Sequence, residues 1–198
     1  MADRQTLDVY ATRAGDYARR FGGERPDRHL SRFISALPGG ARVLDIGCGT
    51  GRSAAFMVKA GLHVDAWDAS PEMAAIGRDI FGLTVEVRTF SSLTDKSVYD
   101  GIYANFSLLH ASKSDLPGHL SRIADALVPN GLFHIGLKTG TGEARDNLGR
   151  FYAYYEEPEL AALLTAAGFD VETRDFGADE GLDGTVAPWM ILTARKTS

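Results

Sequence analysis

Residues 43–51 read Val-Leu-Asp-Ile-Gly-Cys-Gly-Thr-Gly, an apolar run holding one acid and then three glycines at alternate positions. The apolar run predicts a short buried strand. Glycine permits tight turns and close approach of backbone to a ligand. Asp45 sits at the inner end of that strand, where a charge is costly unless something cationic faces it. Open α/β sheets bind ligands outside the carboxyl ends of their strands, and the free N–H groups of a following helix face the same crevice.

The rest of the chain repeats the alternation this arrangement needs. Strands are predicted at 41–47, 62–69, 83–90, 99–107 and 132–138, separated by helical patterns at 52–61, 70–82, within 112–131, and at 156–169. Ser70, Pro71 and Glu72 form a helix start. Strands alternating with helices imply parallel pairing through right-handed crossovers. The last two segments, 170–176 and 186–196, have no helix between them and predict an antiparallel pair at one edge. The expected fold class is therefore α/β. It is a Rossmann-like three-layer sandwich on a seven-stranded, mostly parallel sheet, with the last strand antiparallel. Residues 1–40 are expected to form a helical cap of two helices, at 5–21 and 27–37, over the carboxyl edge. Residues 41–198 form the main domain.

Composition narrows the function. The chain has 198 residues, 44% hydrophobic and 24% charged, enough for one ordinary core. Its net charge of −5 argues against a nucleic-acid partner, which needs a basic footprint. Cys48 is the only cysteine, so no internal disulfide forms. The first residues carry charges throughout and lack the apolar core of a secretory signal, and no run approaches a membrane span. The expectation is a cytoplasmic protein with a small-molecule substrate and no membrane partner. Its oligomeric state is unreadable from sequence.

The glycine spacing is G-x-G-x-G, not the G-x-G-x-x-G of dinucleotide folds. Asp68 closes the second strand, where an acid accepts the ribose hydroxyls of an adenosine group. Taken together, VLDIGCGTG, VDAWDAS (64–70), YDGIYANFSLLH (99–110) and LVPNGLFHIGL (127–137), with Tyr10 and Tyr17 in the first helix, resemble the class I S-adenosylmethionine-dependent methyltransferases. Bacterial small-molecule members, including tellurite-resistance-like ones, are similar over much of the chain.

The resemblance implies S-adenosyl-L-methionine as cofactor and S-adenosyl-L-homocysteine as product. It implies that Asp45 orients the methionine end, that Gly47, Cys48 and Gly49 pass their backbone along it, and that Asp68 holds the ribose. Ala69 and Met73 would pack on the adenine, with Phe90 and Ser91 at its edge or face. The family often has an acid near that point, and Thr-Phe-Ser-Ser-Leu has none. Asn105 would lie under the sulfonium, with Tyr17 near the cofactor carboxylate.

Methyl transfer needs a base only when the acceptor must lose a proton. His110, just after the fourth strand, is the candidate catalytic residue, while His29, His63, His119 and His134 are read as structural or surface. The stretch 138–155 is long for a strand–helix connection. It brings Lys138, Arg145 and Tyr152 forward as substrate-binding residues, with Arg150 nearby. Cys48 has no base placed beside it and is not expected to act as a nucleophile. No acidic cluster at ligand spacing points to a metal. Two other readings stay open: a non-catalytic protein that binds the cofactor or its product, and a nicotinamide-dependent oxidoreductase. The glycine spacing and the lack of a Tyr-x-x-x-Lys set oppose the latter.

Overall fold

The computed structural model describes residues 3–20 and 23–197. Helices α1 (Arg4–Arg20) and α2 (Arg28–Ser35) precede the sheet. Strands β1 (Arg42–Ile46), β2 (His63–Asp68), β3 (Val85–Val87), β4 (Tyr99–Asn105) and β5 (Leu127–Lys138) alternate with α3 (Arg52–Lys59), α4 (Pro71–Phe81) and α5 (Leu116–Ala126). A small hairpin of β6 (Glu143–Arg145) and β7 (Phe151–Ala153) follows, then α6 (Glu157–Ala166), β8 (Phe169–Glu180) and β9 (Val186–Lys196).

The seven-stranded sheet runs β3-β2-β1-β4-β5-β9-β8. Strands β1 to β5 pair in parallel, and β9 enters antiparallel between β5 and β8. Strand order reverses between β1 and β4, so a crevice opens beyond their carboxyl ends. Both faces are covered, which is why β1 reads as a continuous apolar run. Leu44, Ile46, Ile102 and Phe133 face the layer built by Leu120 and Ile123 of α5 and Leu160 and Leu164 of α6. Val43, Tyr103 and Leu132 face the other way, against Leu30 and Phe33 of α2 and Met57 of α3.

Local chemistry explains the boundaries. The Ser70 hydroxyl accepts from the Met73 amide at 3.2 Å, Pro71 opens α4, and Gly82 closes it with φ +66°. The Pro129-Asn130-Gly131 segment does not break the strand. It is absorbed as a bulge in β5, where Tyr99 pairs with Leu127 and Gly101 with Leu132, and Asn130 takes φ +61°.

Two expectations change. Only α1 lies over the carboxyl edge. Helix α2 packs on the face of the sheet, its Phe33 ring 5.1 Å from that of Tyr103, because Leu30 and Phe33 need a core to bury them. The stretch 138–155 is not an irregular connection but the β6–β7 hairpin, which reaches α1.

Candidate active site

The glycine loop joins β1 to α3 with φ +71° at Gly47, +57° at Gly49 and +75° at Gly51. A methyl group added at Gly47 would fall 2.4 Å from Ser107 Cβ, so close approach as well as φ demands glycine there. The amides of Gly47 and Cys48 both donate to the Trp67 carbonyl, at 2.8 and 2.9 Å. Asp68 accepts from the Gly49 amide at 2.7 Å and from the Ser70 amide at 2.8 Å, tying the loop to the start of α4. Burial raises the Asp68 pKa, and those amides oppose the shift.

Asp45 is 2% exposed, and its Oδ2 has no hydrogen-bond partner among the described residues. Burial, then the nearby Asp68 charge, pushes its pKa up to about 8. A buried carboxyl in this condition lacks a cation.

Two compartments open from the loop. One lies between α1, α4 and the segment after β3, lined by Asp68, Ala69, Met73, Phe90 and Ser91. The other, about 540 Å³, is lined by Asp45, Cys48, Lys138, Arg150, Tyr152 and Trp189. That volume suits a small molecule. Tyr10, Tyr17, Gly47, Asn105 and Phe106 face both, so the compartments are contiguous. Tyr17 lies across the loop, its Cε1 3.5 Å from where a Gly49 Cβ would be, and burial raises its phenol pKa. Asn105 Oδ1 meets His134 Nε2 at 3.0 Å. Phe106 takes φ +55°, unusual for a bulky residue, and its ring sits edge-on to Trp189 at 6.3 Å.

His110 reaches the cavity, but neither ring nitrogen is free. Nδ1 lies 2.6 Å from the Phe151 carbonyl, which only accepts, so Nδ1 carries the proton. Nε2 therefore accepts from the Tyr10 hydroxyl at 2.9 Å. Arg150 Nη1 donates to the same hydroxyl at 3.1 Å. Burial lowers the His110 pKa to about 4, so the ring is neutral at pH 7. Arg150 is 3% exposed and holds Asp146 through Nε and Nη2, at 2.8 and 2.6 Å.

Arg145 requires a correction. Its exposed guanidinium binds Asp3 at 2.8 Å at the rim of the first compartment and itself lines neither, and Arg150 is the arginine that faces the cavity. The turn at Asp146–Gly149 decides this, since β6 is exposed throughout whereas Arg150 follows the turn and precedes the largely buried β7. His119 requires another. It lines the compartment beside Phe90, with ring centroids 5.6 Å apart, and its buried Nδ1 has no partner among the described residues. Its place in an amphipathic helix gave no sequence signal for this. His134, stacked on Tyr103 at 4.1 Å, is structural as expected. Burial pushes the Cys48 thiol pKa well up, which suits a packing role. No cluster of metal-ligating side chains occurs among the described residues.

The sheet order, the inserted antiparallel strand and the glycine loop at the switch point define a Rossmann-like cofactor-binding protein. Residues 43–131 match the family model described as "Methyltransferase domain". The solved Burkholderia thailandensis 1,6-didemethyltoxoflavin-N1-methyltransferase, with bound 1,6-didemethyltoxoflavin and S-adenosylhomocysteine, is 28% identical with a TM-score of 0.76, over 98% of this chain and 88% of that one. A ubiquinone biosynthesis O-methyltransferase of Xanthomonas axonopodis pv. citri is 36% identical over 78 residues, covering 36% of this chain and 33% of that protein. A trans-aconitate 2-methyltransferase of Methylobacterium nodulans is 33% identical over 144 residues, covering 70% of this chain and 52% of that protein. The chain thus spans a third and a half of the lengths of these two curated relatives. Residues 43–131 thus resemble a methyltransferase domain, and the chain is similar in sequence and fold to S-adenosylmethionine-dependent methyltransferases.

The family's cofactor is S-adenosylmethionine, and the residues present fit it. The unpartnered Asp45 oxygen suits the ammonium of the methionine part, and the Gly47–Gly49 backbone leaves room beside it. Asp68 stands at the end of the second strand, and Ala69, Met73 and Phe90 give an apolar adenine slot.

Proposed function

We propose that this chain transfers a methyl group from S-adenosylmethionine to a small-molecule acceptor held in the compartment of Lys138, Tyr152 and Trp189. The buried carboxyl of Asp45 beside the glycine loop, with its Oδ2 unpartnered, is the observation that carries this reading. Asp45 binds the ammonium, Asp68 the ribose, and Ala69, Met73 and Phe90 the adenine. Ser91 and His119 supply polar atoms near the adenine edge, where the family's usual acid is missing. Tyr17 and the cap helix α1 close the cofactor side, and Asn105 stands between the two compartments. The bound cofactor supplies a methyl group on a sulfonium, with a neutral thioether as leaving group, so alignment and exclusion of water provide much of the rate. His110 acts by fixing the Tyr10 hydroxyl at the junction of the compartments.

The relatives' names support a small-molecule acceptor, since the Burkholderia structure holds 1,6-didemethyltoxoflavin beside S-adenosylhomocysteine. The test is calorimetry with S-adenosylmethionine, S-adenosylhomocysteine and NAD⁺ in parallel, on wild type, Asp45→Asn and Asp68→Ala. Micromolar binding of the first two, lost in both variants and absent for NAD⁺, is expected. Binding of NAD⁺ alone would overturn the reading.

A further inference from the structure

The acceptor compartment is walled by aromatic rings and holds an ammonium with no carboxylate beside it, whereas the Arg52 guanidinium in the same lining is taken up by the Gly23 and Arg25 carbonyls. Tyr10, Phe106, Tyr152 and Trp189 supply the walls. Apart from Asp45 beside the glycine loop, the carboxylates nearest it are already engaged. Glu180 pairs with Arg20 at 2.7 Å, Asp179 accepts from Trp189 Nε1 at 2.7 Å, and Asp146 holds Arg150. Lys138 differs. No carboxylate lies within 4 Å of its Nζ among the described residues, and the ammonium rests on the face of Tyr152, 4.2 Å from the ring centroid. Burial lowers its pKa and Arg150 adds to that, while Asp183 and Asp146 oppose the shift from longer range. A half-buried ammonium kept in this state attracts an anion.

The second observation concerns protons. Both nitrogens of His110 are committed, to Tyr10 and to the Phe151 carbonyl, so the histidine nearest the junction has no lone pair for a substrate proton. An acceptor that had to be deprotonated in the site would find no base in His110. An acceptor that arrives already ionised needs none.

We propose that the acceptor is a planar aromatic molecule that enters as an anion, an ionised phenol or ring N–H acid, stacked among Tyr152, Phe106 and Trp189 with its charge on Lys138. The proposal rests on the methyltransferase reading above and names the substrate class of that same site. The anion's lone pair forms the bond to the methyl carbon, the carbon–sulfur bond breaks onto sulfur, and no proton leaves. Anion and sulfonium lose their charges together, which a water-poor aromatic pocket favours.

The probe pair is 4-nitrophenolate and its neutral methyl ether, 4-nitroanisole. Their binding is measured at pH 8 by absorbance and by quenching of tryptophan fluorescence, with the protein saturated with S-adenosylhomocysteine. We expect the phenolate to bind at least tenfold more tightly than the ether. Lys138→Met should abolish the preference and Lys138→Arg should keep most of it, with S-adenosylhomocysteine affinity unchanged in both as the check on folding. Equal binding of the two probes would overturn the proposal. So would a preference that survives Lys138→Met, or no phenolate binding at millimolar concentration. Failure of S-adenosylhomocysteine to bind the wild-type protein would instead overturn the cofactor reading on which this one stands.

Discussion

The Tyr10 hydroxyl donates to His110 Nε2 across 2.9 Å, linking the cap helix to the segment that follows β4. The direction follows from the other side of the ring, where Nδ1 must donate to the Phe151 carbonyl. A histidine held this way is a spacer, not a proton acceptor. Burial lowers its pKa from 6.5 to about 4, so it stays neutral through the physiological range. We expect the His110 ring resonances to titrate near pH 4 and to be flat between pH 5.5 and 8. The unfolded chain binds this proton more readily, so the contribution to stability is complete above pH 6.5 and is lost as pH falls toward 4. Tyr10→Phe and His110→Ala should lower turnover by similar factors, and the double variant should be little worse than either, because the two act as one unit. An ascending limb near pH 6.5 in the wild-type rate profile, absent in His110→Ala, would contradict this account.

Asp45 makes the opposite trade. Its folded pKa of about 8 lies above the unfolded value, so the folded protein holds the extra proton and loses that stabilisation as pH rises through 8. In the cofactor-free protein, Asp45→Asn should therefore raise the melting temperature much more at pH 9 than at pH 5, since the loss begins above the unfolded pKa of 3.8 and is complete above 8. At this chain length each kcal/mol is worth about 2–4 °C. The same variant should bind S-adenosylhomocysteine at least tenfold more weakly. Calorimetry in buffers of different ionisation enthalpy should detect proton release from the Asp45 carboxyl on ligand binding to wild type near pH 7, and not with Asp45→Asn. A variant less stable than wild type at pH 9 would show that the ionised Asp45 gains more from its surroundings, the Ala54 amide included, than burial costs it.

Gly47 and Gly142 separate two reasons for glycine. Both have positive φ, +71° and +74°. Alanine at such a φ costs about 1–2 kcal/mol by itself. At Gly142 nothing lies within 4 Å of the added methyl, so Gly142→Ala should cost only that strain. At Gly47 the methyl would also strike Ser107 Cβ, whose hydroxyl donates to the Ile46 carbonyl at 2.7 Å. Gly47→Ala should lower the melting temperature by several degrees more and remove most cofactor binding. Equal melting temperatures for the two variants would refute the packing argument.

Much of the fold was legible because periodicity and punctuation agreed. Ser70-Pro71-Glu72 and Gly82 bracket α4 as read, and the missing helix before the last strand announced the antiparallel insertion. The glycine loop and Asp68 were legible for the same reason, since the positive φ values and the amides that Asp68 accepts are backbone requirements written as residue types. The acceptor side was less legible. Lys138, Arg145 and Arg150 look alike in sequence, and only the turn at Asp146–Gly149 decides that Arg150 points inward while Arg145 stays out. His119 was missed because an amphipathic helix carries a histidine equally well on a surface or over a cavity. The direction of the His110 hydrogen bonds depends on a carbonyl 41 residues away, which no local pattern records.

Arg145 has a task of its own outside the cavity. Helix α1 is fastened to the β6–β7 hairpin at three levels: Asp3 to Arg145 at 2.8 Å, the Thr6 hydroxyl accepting from the Phe151 amide at 2.8 Å, and Tyr10 to Arg150 and His110. The guanidinium holds the Asp3 carboxyl well below the usual carboxylate range. That pair is exposed, so salt should screen it, whereas the Thr6 contact is buried. We expect Arg145→Ala to speed proteolysis and amide exchange within α1, an effect that about 0.5 M salt reproduces in wild type, while cofactor affinity changes less than about threefold. Thr6→Val leaves the Phe151 amide unsatisfied at a cost of about 1–3 kcal/mol and should loosen α1 more, at any salt. Deleting residues 1–22 removes Tyr17 from the loop altogether and should weaken S-adenosylhomocysteine binding by more than tenfold. Unchanged affinity after that deletion would mean that the cap shields the acceptor compartment alone and contributes nothing to holding the cofactor.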